Sequence, residues 1–326
     1  GIVPVYDSNG HSGKGNFIVA EADESDGSLT KLKPNLGIIT NIELDHTDYY
    51  QNIESLISTM KVFCSNCKEV LANSDCKIVN LNIEATYWWS NEQTQNIDFA
   101  CIPVSINGNE TIANYYEKGL YIDKIKLPLP GMHNLSNATC AIASCRINGI
   151  PFDEIKISIP HLKAPKRRFE LLGIWQRRLF IDDYAHHPSE VEATLKIANL
   201  MIKTKSSPFK ESPKRIFTIF QPHRYTRTKE FIKEFAIALA KTNIIILAPI
   251  YSAGEKPLVG VNNKILAKAI KIHNKNAAVY ISESLENIIE LIKEKSTEGD
   301  LILLMGAGNI NLIWGKFDKD SNPISL

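Results

Sequence analysis

The stretch Ile216-Phe-Thr-Ile-Phe220, followed directly by Gln221-Pro-His-Arg-Tyr-Thr-Arg227, is the clearest guide to the architecture of the chain. Its first part is continuously apolar, which is typical of a parallel strand covered on both faces. Its second part is polar and leads into a helix-like segment at 226–241. A buried strand, a polar loop and a helix in this order form the repeating unit of a mainly parallel α/β sheet.

The same unit recurs on both sides of this stretch. Further apolar runs predict buried strands at 17–20, 36–40, 179–181, 244–248 and 301–305. Helical character predicts helices at 133–148, 188–203, 262–272 and 283–295. Short strand-like pieces and turn residues at 97–130 predict a small antiparallel patch.

The chain of 326 residues is long enough to bury more than one core. We therefore predict an α/β protein of two domains. A mainly parallel-sheet central domain with the antiparallel patch would span residues 1–164, and a C-terminal domain would span 165–326. The proposed hinge is the proline and basic cluster at 161–170.

Charge and hydropathy exclude several classes of partner. The formal net charge is +1, so no broad electrostatic field attracts nucleic acid or an anionic membrane. No apolar run reaches the roughly 18 residues that a membrane-spanning helix needs, and the first residues lack the pattern of a secretion signal. We expect a cytoplasmic protein without nucleic-acid or membrane partners, present as a monomer or a homodimer.

Polar clusters follow four of the apolar runs, at 21–26, 41–46, 182–188 and 221–227. Ligands of open parallel sheets bind beyond the carboxyl ends of the strands, where these clusters fall. Four of the eight histidines lie in them, at positions 46, 186, 187 and 223. The alternative is that polar residues simply mark loops, but that reading would scatter the histidines more evenly.

Several residues of these clusters suit a nucleotide and its metal. Glu21 follows an apolar run and offers the oxygen ligand that Mg²⁺ prefers, whereas Asp23, Glu24 and Asp26 better fit helix capping or support of the metal ligands. His46 could ligate a metal ion or be structural, and its position alone does not decide between them. Near the start of a predicted helix, Asn134 and Asn137 can face one planar ligand such as adenine, or cap the helix.

Basic residues suit an anionic substrate. Arg224 and Arg227 follow a strand beside His223 and can converge on one carboxylate, which guanidinium groups bind in bidentate fashion. The alternative is a solvated helix face. Arg167 and Arg168 could reach a phosphate or merely solvate the hinge.

Taken together, these motifs resemble the Mur ligase family of ATP-dependent amide ligases, in its alanine-adding branch. The matching strings appear in the family's order: FIVAEADESD, TNIELDH, LPGMHNLSNA, RRFELLG, DDYAHHPSEV, FQPHRYTRT, IYSAGEKP and LMGAGNI. The resemblance implies a Mur-type ATPase central domain and a Rossmann-like C-terminal domain. It also implies ATP, Mg²⁺, UDP-N-acetylmuramate and L-alanine as ligands, and an amide-forming step of peptidoglycan synthesis that passes through an acyl phosphate.

The resemblance also assigns roles to residues. By it, Glu21 and His46 each bind Mg²⁺, and His133, Asn134 and Asn137 hold adenine, while Arg168 and Asp183 contact phosphate and ribose. His223, Arg224 and Arg227 would seat the alanine carboxylate with Tyr184 and His187 close by, and His187, Arg224 and Arg227 are the candidate catalytic residues.

One part of the family pattern is not matched. The phosphate loop GTxGK[ST] is not found, because in the string NGHSGKG the pair Gly13-Lys14 is followed by Gly15, and Ser8 stands where the loop needs its first glycine. We interpret this string as a surface loop and expect the chain by itself to be catalytically inactive. Two alternatives remain: a recycling ligase that attaches a whole tripeptide to the same nucleotide sugar, and a non-catalytic Mur-like binding module.

Overall fold

The computed structural model describes residues 2–3, 5–207, 212–242 and 244–317. The chain forms two compact units. The N-terminal unit comprises Gly10–Ile106 and Glu110–Lys163, and the C-terminal unit comprises Gly1–Asn9, Asn107–Asn109 and Ala164–Leu326. The functional division predicted at residues 164 and 165 stays a prediction.

The N-terminal unit is built on one sheet with the order β1-β2-β3-β4-β5-β6. Its strands are β1 (Leu36–Ile39), β2 (Glu69–Asn73), β3 (Tyr87–Ser90), β4 (Phe99–Ile106), β5 (Thr111–Glu117) and β6 (Leu120–Leu127). Its α-helices are α1 (Ile53–Ser65), α2 (Lys77–Asn82), α3 (Met132–Ile147) and α4 (Phe152–Ser158). Short 3-10 helices lie at Ser28–Lys31 and Ile159–His161.

Strand direction changes within this sheet. The pairs from β1 to β4 are parallel, whereas β4–β5 and β5–β6 are antiparallel. The antiparallel patch predicted at 97–130 is therefore confirmed. Leu71 of β2 and Trp89 of β3 are fully buried, and α3 packs small side chains such as Ala138 and Ala143 into the same core.

The strand predicted at 17–20 is wrong. Phe17 is 64% exposed, Ile18 96% and Val19 97%, and the segment lies outside every strand of the described residues. An apolar run becomes a buried strand where a neighbouring strand pairs with its backbone. In this sheet the partner of β1 is β2, and the segment 17–20 is not one of the paired strands. The segment 9–15, interpreted as a surface loop, is indeed exposed and without regular structure.

The C-terminal unit holds a second sheet with the order β11-β10-β9-β12-β8-β7. Its strands are β7 (Glu170–Trp175), β8 (Arg178–Asp183), β9 (Arg215–Phe220), β10 (Ile244–Leu247), β11 (Ala278–Ile281) and β12 (Asp300–Met305). Its α-helices are α5 (Pro188–Thr204), α6 (Tyr225–Glu230), α7 (Ile232–Leu239), α8 (Asn263–His273) and α9 (Leu285–Lys295). A 3-10 helix follows at Ile310–Lys316.

This sheet is parallel except for its edge strand β7, which runs antiparallel to β8. Every residue of β12 is buried, and apolar clusters cover both faces of the sheet, as the continuous apolar runs predict. The single helix predicted at 226–241 is instead two helices, because the backbone leaves helical geometry at Phe231. The predicted two-sheet α/β fold is otherwise confirmed.

The strand order fixes where a ligand can bind in this unit. From β9 to β11 the chain moves toward one edge of the sheet. It then turns back and places β12 between β9 and β8. Open α/β sheets bind ligands at the carboxyl ends of the strands beside such a reversal. Among the helices described, none has the length and apolar character that crossing a membrane requires.

Candidate functional site

In the N-terminal unit, His46 lies among carboxylates. Its Nε2 is 3.8 Å from an oxygen of Glu24 and 3.9 Å from an oxygen of Asp45, with about a quarter of its side chain exposed. Asp45 also accepts a hydrogen bond from the His46 backbone N–H, and the Tyr50 hydroxyl donates to the Glu24 carbonyl at 2.6 Å. These contacts join the segment after residue 20 to the loop that follows β1.

The acidic residues of this segment take different positions. Asp23 and Asp26 accept hydrogen bonds from the backbone N–H groups of Ser25 and Ser28, which fits local capping, and hydrogen bonds with the side chains and backbone of these serines lower the pKa of each carboxyl. Glu24 faces His46, which is the supporting position that the sequence offers as the alternative to capping, and Glu21 is exposed.

The oxygen-rich surroundings of His46 suit Mg²⁺, which takes one or two protein carboxylates and completes its shell with phosphate oxygens and water. Within the ranges that the structure describes, no three His, Cys, Asp or Glu side chains are grouped as a complete metal cage.

The predicted adenine-binding residues stand at the start of α3. Gly131 precedes the helix with a φ of 99°, a conformation open to glycine, and this turn presents His133 and Asn137 on the exposed side. The Asn134 side-chain amide donates to the Pro130 carbonyl at 2.7 Å. This bond holds the turn before the helix without capping it, since among the described residues no side-chain capping bond is made to the first N–H groups of α3, and it leaves the Asn134 side-chain oxygen as an acceptor.

In the C-terminal unit, Asp183 ends β8 and is buried. Its carboxylate oxygens accept hydrogen bonds from the backbone N–H groups of Phe169 and Ala185, both at 2.8 Å. Burial raises the pKa of Asp183 to about 6, against the opposing effect of these bonds. Asp183 thus ties the loop at 167–169 to the loop after β8.

Arg167 organises the same region. Its guanidinium donates to the Asp182 carboxylate at 2.9 Å, to the Gly306 carbonyl at 2.7 Å and to the Gly308 carbonyl at 3.3 Å. It also lies 4.9 Å from the centre of the Tyr184 ring. Arg167 is therefore committed to holding the loops after β8 and β12.

Arg168 and the histidines after β8 meet at Glu190. Arg168 pairs with the Glu190 carboxylate at 3.1 Å and is half exposed. The second oxygen of Glu190 accepts from the backbone N–H groups of His186 and His187, and His187 caps the start of α5. Tyr184, 37% exposed, stands beside them.

The predicted carboxylate-binding cluster follows β9. Arg227 is only 5% exposed, and one of its terminal nitrogens lies 3.1 Å from Nδ1 of His223. Because arginine can only donate, Nδ1 of His223 accepts the hydrogen bond from Arg227. The proton of the neutral His223 ring is therefore on Nε2. Burial, followed by the nearby His186 and the two arginines, lowers the pKa of His223 to about 4. His223 is therefore a neutral N–H donor at physiological pH.

Arg224 carries backbone strain at this cluster. Its φ is 66° and its ψ 141°, close to a region that only glycine adopts readily. His46 and Arg167 also have positive φ, at 50° and 62°. Such conformations collect at functional sites, where the surrounding structure imposes them.

Sequence reasoning gave no role to the residues that support this cluster. Tyr251 stacks on His223 with ring centres 5.6 Å apart, and Glu255 binds the backbone after Arg224. Gln221 connects the end of β9 to Asn309 and Ile310. The sequence signal for these residues is the pair of strings IYSAGEKP and LMGAGNI. Both strings match the family, but the resemblance assigns no role to a residue in them.

Both units match models of known protein families. Residues 8–145 match the Mur ligase middle domain, and residues 167–308 match the Mur ligase, glutamate ligase domain. A UDP-N-acetylmuramate–L-alanine ligase of Prochlorococcus marinus is 51% identical over 314 residues, covering 96% of this chain and 64% of the relative. One of a Synechococcus species is 47% identical over 319 residues, covering 98% and 68%.

Among solved structures, UDP-N-acetylmuramate-alanine ligase from Thermotoga maritima superposes with a TM-score of 0.71 at 23% identity, covering 90% of this chain and 61% of that one. This likeness supports the fold. The chain spans about two thirds of the length of the relatives that it matches. Its domains, motif order and identity to these relatives show that the chain belongs to the Mur ligase family.

Proposed function

We propose that this chain provides the ATP-binding and amino-acid-binding parts of a ligase that joins L-alanine to UDP-N-acetylmuramate in peptidoglycan synthesis. The observation that carries the proposal is the cluster of His223, Arg224 and Arg227 at the carboxyl end of β9. Relatives of about half identity that bear the name of this activity support the choice of alanine.

The cluster suits a small amino-acid carboxylate for electrostatic reasons. Two guanidinium groups supply positive charge, and the neutral His223 adds an N–H donor without a charge of its own. The buried Arg227 fixes the His223 ring, so this donor needs little reorganisation when the carboxylate arrives. Tyr184 and His187 follow β8, which is separated from β9 by β12 in the same sheet, and we propose that they lie near the alanine amine.

The remaining predicted residues would bind the nucleotide. We assign His133, Asn134 and Asn137 to adenine, Arg168 and Asp183 to phosphate and ribose, and Glu21 and His46 to Mg²⁺. The position of Glu24 and Asp45 beside His46 supports a metal at that loop. When bound, Mg²⁺ offsets the negative charge on the phosphates of ATP.

The proposed reaction has two steps. A carboxylate oxygen of UDP-N-acetylmuramate bonds to the γ-phosphorus of ATP, and ADP leaves, which gives an acyl phosphate. The alanine nitrogen then bonds to the acyl carbon, loses a proton and expels phosphate. We infer that Arg224, Arg227 and His187 act by orienting alanine and by offsetting charge near the reacting groups.

The test is phosphate release by the complete gene product with ATP, Mg²⁺ and UDP-N-acetylmuramate. We expect release to depend on L-alanine, and R224A to raise the KM for alanine about tenfold or more, because a charge-assisted contact is lost. Release that depends on a tripeptide and not on alanine would favour the recycling ligase. Binding of substrates without any turnover would favour the non-catalytic module. Cytoplasmic location and oligomeric state stay predictions.

A further inference from the structure

A short turn brings a distant glutamate to the carboxylate-binding cluster. In the segment Tyr251–Glu255, which we name the clamp segment, the Glu255 N–H donates to the Ser252 carbonyl at 3.0 Å. The two central residues, Ala253 and Gly254, both have positive φ, at 49° and 89°, as in a type I′ turn. Most of the surrounding loop is exposed, but Glu255 is half buried.

The Glu255 carboxylate binds the first residues of α6. One oxygen accepts from the backbone N–H groups of Tyr225 at 2.6 Å and Thr226 at 3.1 Å, and the other accepts from the Thr226 hydroxyl at 2.6 Å. Residues at the start of a helix have backbone N–H groups without intrahelical partners. Glu255 satisfies two of them with a charged acceptor.

The other end of the clamp segment holds the residues before α6. The Arg224 N–H donates to the Tyr251 carbonyl, and the Tyr251 N–H donates to the Pro222 carbonyl, both at 2.8 Å. Arg224 is therefore fixed through its own N–H and through the two residues that follow it. A strained backbone persists only where its neighbours over-determine it, and the clamp segment is that constraint.

We propose, on the basis of the function proposed above, that Glu255 is a positioning residue for the amino-acid carboxylate. It holds Arg224 in the strained conformation from which the guanidinium serves the substrate. It also occupies the backbone N–H groups at the start of α6, so the substrate carboxylate is bound by the side chains of Arg224 and His223 instead. Affinity for the amino acid thus depends on a residue that does not touch it.

The test compares E255A with E255Q in the complete gene product. Alanine removes all the contacts of Glu255. Glutamine can keep them, because its carbonyl oxygen accepts from both backbone N–H groups and its amide donates to the Thr226 hydroxyl. For E255A we expect the KM for L-alanine to rise about tenfold or more, while the KM for ATP stays within about twofold. For E255Q we expect the KM for L-alanine to stay within about threefold of wild type.

The matched control is E298Q with E298A. Glu298 is an exposed glutamate of the same unit that pairs with Arg177. It precedes β12 and so lies at the amino ends of the parallel strands, away from their carboxyl ends. Neither substitution should change the KM for alanine. Hydrogen–deuterium exchange of the Tyr225 and Thr226 amides gives a readout that needs no turnover, and we expect faster exchange in E255A than in E255Q.

The outcomes separate the two proposals. Wild-type protein without alanine-dependent turnover overturns the proposed function, and the role of Glu255 in alanine affinity with it. Wild-type turnover combined with an unchanged KM for alanine in E255A overturns the positioning role alone. Equal loss in E255A and E255Q, or unchanged exchange at Tyr225 and Thr226, also overturns it. If E255A does not fold, E255Q decides, and a folded E255Q whose KM for L-alanine exceeds about three times that of wild type overturns the positioning role.

Discussion

Removing Arg167 should destabilise the C-terminal unit strongly. Its guanidinium is the ion-pair partner of Asp182, which is 1% exposed, and also binds the carbonyls of Gly306 and Gly308. In Arg167→Met the apolar part of the side chain remains, but Asp182 becomes a buried carboxylate without its cation. Breaking a buried pair from one side costs about 3–5 kcal/mol, and we expect a loss of that size.

The loss should depend on pH in a defined direction. Burial raises the pKa of Asp182 and Arg167 opposes that rise, so the substitution raises the folded-state pKa further. A carboxyl with a raised folded pKa favours the folded state when protonated, and this contribution is lost as pH rises through the folded pKa. The deficit of the variant should therefore be larger at the higher of two pH values than at the lower one.

The measurement is hydrogen–deuterium exchange of peptides from β8 and β12, because a chain of two units need not unfold in one step. The matched control is Arg177→Met, which breaks the exposed pair with Glu298 and should cost less than about 1 kcal/mol. Replacing Asp182 by Leu in the Arg167→Met background should recover part of the loss. Equal deficits at both pH values, or a loss no larger than the control's, would refute the role given to this ion pair.

Two further predictions concern the loops at the carboxyl ends of the strands. His223 should titrate with a midpoint near 4 by NMR, because burial and the neighbouring cationic groups disfavour its charged form; a midpoint near the ordinary value of 6.5 would contradict the neutral donor. Gly306→Ala should cost about 2–4 kcal/mol, because φ is 148° and the new Cβ would lie 2.7 Å from the Gln221 carbonyl oxygen. Gly315→Ala, where a Cβ meets nothing within 4 Å, is its control in thermal unfolding, and equal effects of the two would count against the steric argument.

In the C-terminal unit, the sequence predicted the strands whose burial is continuous along the chain. β8, β9, β10 and β12 were found because both faces of each strand are covered, which produces an unbroken apolar run. β7 and β11 were missed because each lies at an edge of the sheet and is only partly buried. The run at 17–20 was misjudged because pairing, not hydropathy, decides whether such a run is buried.

Of the candidate site, the sequence predicted the part whose residues are adjacent along the chain. His223, Arg224 and Arg227 are neighbours in sequence, so their proximity follows from one loop. Glu255 reaches Tyr225 across 30 positions through a turn whose positive φ values no local pattern announces. Glu24 faces His46 for a similar reason, since the path of an irregular segment sets which side chains meet.

The exposed Phe17–Val19 segment has a practical consequence for handling the protein. It lies in the same unit as β1, an outer strand whose Ile38 is 39% exposed. Within the described residues β1 ends the strand order, and a sheet edge together with unburied apolar residues can serve as a template for another molecule. We expect light scattering of concentrated samples to rise with concentration and to fall when a lysine replaces Ile18.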